Sequence, residues 1–484
     1  MNRTDIEKNL SGFLPELARL ECCILKIKAQ EIAVPDHLNE MILNPSLQLL
    51  ELCWKRLTDY LSASGSVVPE PGNEFVMIWK HPGDGQIRAE AASAEDLLVL
   101  KMIFEKIDRK EVARIGDMPV AAVDAAMERA VEKGIFFAPG SRIRRDFPRI
   151  ESSACNSGQY LISPAFTLQW HVTQACDLHC RHCYDRSDRS ELTLDEATRI
   201  LDDLDGFCRG KHVKGQVSFT GGNPLLHPDF SAIYRAASNL GFTLAILGNP
   251  APRKQLEELI SIQPPSFFQV SLEGLPEYND YIRGSGHFER VMHFLDLLRD
   301  LEIYSMVMLT LTRDNIGQVL PLGERLRGRA DVFYFNRLAR VGEGASLELP
   351  TREDYMIFLE NYLATSKENP VLGLKDNLFN VLLHHNGVEP FGGCTGFGCG
   401  AAFNFLSVLP DGEVHACRKF PSPVGSVLTQ SISEIYDSAI SRRYRSGCSE
   451  CGPCSLRPVC GGCLACAYSH DLNIFEQKDP FCFL

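Results

Sequence analysis

Cys176, Cys180 and Cys183 stand in the segment ACDLHCRHCYD, with the spacing C-x3-C-x2-C. Thiolates ligate iron–sulfur clusters and zinc. Three local thiols serve three irons of a 4Fe-4S cube and leave the fourth iron open to a chelating ligand. The competing reading, a zinc loop, needs a fourth cysteine from elsewhere in the chain. Ten of the 18 cysteines crowd between Cys394 and Cys482, most of them in CSECGPCSLRPVCGGCLAC and the final DPFC. The first twenty residues lack the apolar run of a signal peptide, so a cytoplasmic setting is expected. There, clustered cysteines mean metal or redox chemistry rather than a disulfide framework. Cys451, Cys454, Cys460 and Cys463 would by themselves also suit one zinc ion. Cys22, Cys23, Cys53 and Cys208 sit among apolar residues and read as buried small hydrophobes.

The elements that would carry the triplet can be read around it. Between residues 165 and 340 six apolar, β-rich runs alternate with helix-like segments: TLQWHVT, GQVSFT, TLAILG, FFQVSLEG, YSMVMLTLT and VFYFN. Six such units predict an α/β fold with a parallel sheet, an open six-stranded partial (β/α)6 barrel with its chemistry at the C-terminal strand ends. Continuous apolar runs suggest a sheet covered on both faces. The triplet follows the first run directly.

Beside the triplet, FTGGNPLLHPDF follows the second run. With the triplet it resembles the radical S-adenosylmethionine (SAM) superfamily over residues 165–340. The resemblance implies a SAM-binding 4Fe-4S cluster on Cys176, Cys180 and Cys183. An electron from that cluster would split the SAM sulfonium and release a 5′-deoxyadenosyl radical. Gly221, Gly222, Asn223 and Pro224 match the glycine-rich motif that holds the SAM amino group, with glycine allowing close backbone approach. Asn223 departs from the usual glutamate, which keeps an acceptor but loses the charge. Asn249 resembles the family's asparagine at the end of the third strand, Ser271 in SLEG with Arg283 resembles the ribose and carboxylate contacts, and His182 the ring often set near adenine.

The tail, residues 390–484, is similar to the SPASM extension of peptide-modifying radical SAM enzymes. That likeness implies two auxiliary 4Fe-4S clusters, one on Cys394, Cys399, Cys417 and Cys463, the other on Cys451, Cys454, Cys460 and Cys482. Cys448 and Cys466 are extra and could replace a ligand. Where SPASM enzymes that oxidise sulfatases carry a basic aspartate, Arg418 stands here, and arginine cannot accept a proton.

The rest of the chain bounds the function. Residues 1–65 read as helical from the spacing of Leu14, Leu17, Leu20, Leu47, Leu49 and Leu50. Ser62 to Glu74 reads as a linker, residues 74–145 as a winged-helix-like unit, and residues 341–389 as a helical connection. That unit comprises two strands, EFVMIWK and QIRAEAA, then helices from about Ala94, Arg109 and Val120. It resembles the leader-recognition element of peptide maturases, which binds a leader as an added strand. Arg142, Arg144, Arg145 and Arg149 make a basic patch that reads as solvated linker. Residues 1–150 hold 20 basic and 23 acidic side chains, and the whole chain carries −13, so nucleic acid is not an expected partner. No apolar run reaches membrane-spanning length. The expected function is radical modification of a ribosomally made precursor peptide (thioether, crosslink or side-chain oxidation), with electrons from a flavodoxin or ferredoxin and the catalytic acid or base unknown; Cys-rich or selenobiotic peptides are the narrower guess. The alternatives are tailoring of a small molecule or tetrapyrrole, and a redox sensor that binds DNA through the winged helix.

Overall fold

The computed structural model describes residues 3–31, 38–63, 67–145, 147 and 157–484. The chain forms two compact units, Met1–Gly140 and Ser141–Leu484. Among the described residues no helix is long and apolar enough to cross a membrane.

The first unit runs α1 (Arg3–Lys28), β1 (Ile42–Leu43), β2 (Gln48–Lys55), α2 (Leu57–Ser62), β3 (Glu70–Lys80), β4 (Ile87–Ala91), α3 (Ala94–Glu105), α4 (Arg109–Ile115), α5 (Val120–Glu132) and β5 (Phe136–Phe137). β2, β3 and β4 form an antiparallel sheet with β3 in the middle. The helical reading of Leu47, Leu49 and Leu50 is corrected here: Leu50, Leu52 and Trp54 alternate along β2 and pack on α1, a period of two rather than 3.6. The linker reading of Ser62 to Glu74 also fails at its end, because β3 starts at Glu70. From Val76 to Trp79, β3 is buried on both faces. Val76 and Ile78 pack toward α1, whereas Met77 and Trp79 join Val99, Ala126 and Ala130 of α3 and α5. Ser93 and Asp96 close a capping box at the head of α3. Cys22 and Cys53 are exposed and Cys23 is half-buried, so of the four isolated cysteines only Cys208 is a core residue.

The second unit is built on β6 (Ala165–Thr173), β7 (Lys214–Gly221), β8 (Thr243–Leu247), β9 (Phe268–Ser271), β10 (Ser305–Leu311) and β11 (Val332–Arg337). These six strands are parallel and adjacent in chain order. The crossovers are α6 (Leu194–Lys211), α7 (Phe230–Asn239), α8 (Arg253–Ile262), α9 (Pro276–Arg283) with α10 (His287–Asp300), and α11 (Val319–Leu326). After α12 (Arg352–Ser366) and α13 (Phe379–His385), the tail adds β12 (Phe405–Val408), parallel to β6, and then antiparallel β13 (Glu413–His415) and β14 (Pro423–Ser426). The sheet thus has nine strands. Helices α14 (Ile432–Tyr436), α15 (Ala439–Ser446) and α16 (Leu464–Ser469) complete the tail.

The barrel strands alternate, contrary to the expectation of two apolar faces. Leu168, Trp170, Val217, Phe219, Val270 and Leu309 enter the core beneath the helices. Their neighbours His171, Thr220, Gln269, Ser271, Thr310 and Asn336 line a cavity. A parallel sheet curved around a reaction space has one wet face, and the strands pattern accordingly.

Candidate functional site

The cavity holds about 510 Å³ and opens at the C-terminal ends of the six parallel strands. Cys176, Cys180 and Cys183 lie on the loop after β6 and line it together. Burial raises the Cys176 and Cys180 thiols above their ordinary range. Among the described residues no three Cys, His, Asp or Glu side chains converge as they would on a single metal ion.

Gly221 and Gly222 end β7 against this loop. A Cβ on Gly221 would stand 2.2 Å from the Thr173 carbonyl oxygen, and one on Gly222 2.2 Å from that of Ala175. Gly221 also has φ +131. The glycines are required so that two loops can touch, a reason that concerns backbone packing before any ligand. The Asn223 amide nitrogen donates to Asp177 at 3.1 Å, its own backbone N–H donates to Ala175 at 2.7 Å, and its side-chain oxygen accepts from Leu225. Asn249 donates to the same Asp177 oxygen at 2.6 Å and lies 3.7 Å from Cys176 Sγ. Pro224 is buried in the turn that follows. Asn249, Ser271, Arg283 and His182 all line the cavity, and Asn223 and Pro224 are buried against Gly248 of its lining.

Sequence reasoning gave no role to Glu273, which the structure joins to three residues of this wall, His182, Arg283 and Thr310. It is 1% exposed. Arg283 donates to its Oε1 at 2.5 and 2.8 Å, His182 Nε2 is 3.1 Å away, and the Thr310 N–H donates to Oε2 at 2.8 Å. Burial alone would raise its carboxyl, but His182, Arg283 and the Thr310 donor outweigh it and hold it at about 2. Arg283 Nη1 in turn lies 3.7 Å from Cys180 Sγ. An acidic residue two positions after Ser271, at the end of an apolar strand, was the available signal. His182 therefore turns its Nε2 toward an ion pair.

The tail cysteines fall into two spatial sets. Cys399 and Cys417 face Cys394 and Cys463, with Cys466 hydrogen-bonded to Cys463. Burial pushes Cys399 up to about 12 and Cys417 up to about 11, so these thiols keep their protons until a metal displaces them. Cys451, Cys454, Cys460 and Cys482 line a second, smaller cavity, and Cys448 is hydrogen-bonded to Cys451. Asp479 stands where the sets meet. Its carboxylate accepts the Cys463 N–H at 2.8 Å and a two-pronged pair from fully buried Arg337 at 2.7 and 2.8 Å. Arg337 also donates to Asp376 at 2.9 Å. Arg145 corrects the reading of a solvated basic patch: it is buried over the Phe403 ring and donates to the carbonyls of Phe397 and Cys399. Arg149 lies outside the described residues, as does Cys155.

This donor chemistry fits iron–sulfur clusters, with one three-thiol site facing a cavity and two richer sets behind it. Residues 170–324 match the radical SAM superfamily and residues 399–464 the SPASM iron–sulfur cluster-binding domain. The chain carries a radical SAM domain followed by a SPASM domain. AdoMet-dependent heme synthase of Methanosarcina barkeri is 26% identical over 340 residues, covering 65% of this chain and 95% of that protein. Mycofactocin maturase MftC of Mycobacterium ulcerans is 27% identical over 340 residues, covering 65% and 87%. Streptococcus suis SuiB, solved bound to its precursor peptide SuiA, shares the fold at a TM-score of 0.54 and 16% identity. That match covers 85% of this chain and 96% of that one, a share larger than Ser141–Leu484 alone, so the likeness reaches into Met1–Gly140.

Proposed function

We propose that this enzyme modifies a ribosomally made precursor peptide. The observation that carries the reading is the pairing of a three-thiol cavity with a separate unit whose sheet has an open edge. In Met1–Gly140, β4 pairs with β3 on one side and, among the described residues, with no strand on the other. A leader peptide adding a strand there would cover an edge that is otherwise a liability for aggregation. The fold shared with peptide-bound SuiB and the likeness to a mycofactocin maturase support the same reading.

In this reading Cys176, Cys180 and Cys183 hold the SAM cluster, and Asn223, Asn249, Ser271 and Arg283 hold SAM. When bound, the cluster and SAM supply a carbon radical able to take a hydrogen atom from the substrate. Glu273 fixes the Arg283 guanidinium beside Cys180, and the polar strand faces orient what enters the cavity. Cys394, Cys399, Cys417 and Cys463 hold one auxiliary 4Fe-4S cluster, and Cys451, Cys454, Cys460 and Cys482 the other. Flavodoxin or ferredoxin is the reductant, and the setting is cytoplasmic.

The test uses the peptide encoded beside the gene. Intact enzyme should modify it, tolerate scattered leader substitutions, and fail on a leader with a central proline, which cannot complete the strand pairing. Equal modification of the proline-bearing peptide would show that β4 does not pair with a leader. A second reading, modification of a tetrapyrrole, follows from the likeness to the heme synthase. It leaves the open-edged sheet of Met1–Gly140 without a task.

A further inference from the structure

We infer that Arg418 forms a subsite for a carboxylate of the substrate, an Asp or Glu side chain or the C-terminus of the peptide being modified. The inference rests on the peptide reading above for the source of that carboxylate. The subsite itself rests on the charge balance of the cavity. Five cationic side chains and one carboxylate, Asp185, line it. Most of these charges are answered locally. Arg283 is paired with Glu273 and Arg337 with Asp376 and Asp479. Asp185 faces Arg189 at 3.6 Å. Arg186, at the exposed end, donates to the Cys180 carbonyl and contacts the His179 ring. Lys419 donates to the Arg337 carbonyl oxygen at 3.1 Å, on the side of the cavity where Cys417 and Cys463 lie.

Arg418 has no such answer. It extends from the loop after β13 into the cavity and donates to Thr220 Oγ1 at 3.2 Å. Among the described residues it makes no ion pair with a carboxylate. Its other titratable neighbours include His171, Tyr184 and Lys375, and none of these is a carboxylate. Thr220 immediately precedes Gly221 and Gly222, so the guanidinium lies over the ends of the strands that carry the three-thiol loop. A guanidinium in a partly desolvated cavity presents two parallel N–H donors, which match a carboxylate better than any neutral group. The cavity therefore selects substrates with a carboxylate near the reacting carbon.

SAM also carries a carboxylate, and the experiment separates the two sources. Dithionite-reduced, cluster-loaded protein is saturated with S-adenosylhomocysteine, which presents the same carboxylate and is not cleaved. N-acetylglutamate or N-acetylglutamine is then added, and proton line broadening by the paramagnetic clusters is measured. N-acetylglutamate should broaden strongly and N-acetylglutamine weakly, and Arg418→Gln should abolish the difference while Arg418→Lys keeps part of it. Equal broadening of the two probes by the wild type, or an undiminished difference in Arg418→Gln, overturns the subsite. SAM affinity by equilibrium dialysis should be the same in wild type and Arg418→Gln. A tenfold loss there without a change in broadening assigns Arg418 to SAM and also overturns it. With the encoded peptide, Arg418→Gln should raise KM by about tenfold or more. A wild type that shows the probe difference yet leaves the peptide unmodified refutes the peptide reading and leaves the subsite standing.

Discussion

Glu273 illustrates how one buried carboxylate organises several neighbours. Its folded-state value of about 2 lies below the ordinary 4.5, so the stability it contributes is complete above pH 4.5 and is lost as pH falls toward 2. Glu273→Gln should lower stability near neutral pH by about 3 kcal/mol, because Arg283 is left without its counter-charge. The variant should also show a shallower acid limb. Melting temperatures measured from pH 3 to 7 check both, and parallel curves for the two proteins would remove Glu273 from this role. Asn223 is a second residue-scale case. Asn223→Leu deletes the donor to Asp177 and the acceptor for Leu225, and SAM affinity should fall by about 1.5–3 kcal/mol, a hydrogen bond to a charged group. Unchanged SAM binding by equilibrium dialysis would detach Asn223 from the SAM site.

At the scale of elements, the barrel and the tail are tied by Arg337 at the end of β11, which is paired with Asp479 of the tail and with Asp376. Asp479→Asn should break the fork to Arg337 and weaken the hold on Cys463, costing about 3–5 kcal/mol. Iron should be lost from the tail while the three-thiol loop keeps its own. Denaturant unfolding and iron analysis test this, and a variant with wild-type stability and full iron would refute it. How legible these elements were follows from their physics. The six barrel strands and the starts of α3, α4 and α5 were readable because apolar runs and caps are local signals. The wet face of the barrel was not, because Gln269 and Thr310 look like chance polar residues until curvature turns them inward. β2 was mistaken for helix because three leucines within four residues satisfy both periods. β12 to β14 were missed because they are short and are recruited by the edge of β6, a partner more than two hundred residues away. The cysteine sets were visible as residues, but the roles of Asp479 and Arg145 in holding them depend on contacts that no spacing announces.

For the whole molecule, the decisive number is iron. Anaerobically reconstituted protein should bind about twelve irons, from three 4Fe-4S clusters. About four irons with one or two zincs would show that the tail is a zinc domain instead. The interleaving of the two tail sets gives this count a structural meaning. Cys463 of one set follows Cys451, Cys454 and Cys460 of the other, and Cys482 closes the second set only two residues from the end.

On the ligand sets proposed above, a cluster that joins Cys394 to Cys463 would also be a cross-link, closing a loop of roughly seventy residues in the unfolded chain. A second link, from Cys451 to Cys482, overlaps the first, so neither loop can open freely while the other stays shut. The pair behaves as a clasp rather than as two rivets. During synthesis that clasp cannot fasten until Asp479 and Cys482 have left the ribosome, since Asp479 secures one half and Cys482 finishes the other. Chains that stop before Asp479 should therefore be left with both halves loose, and be cleared as unfinished protein rather than accumulate as enzyme with one cluster missing.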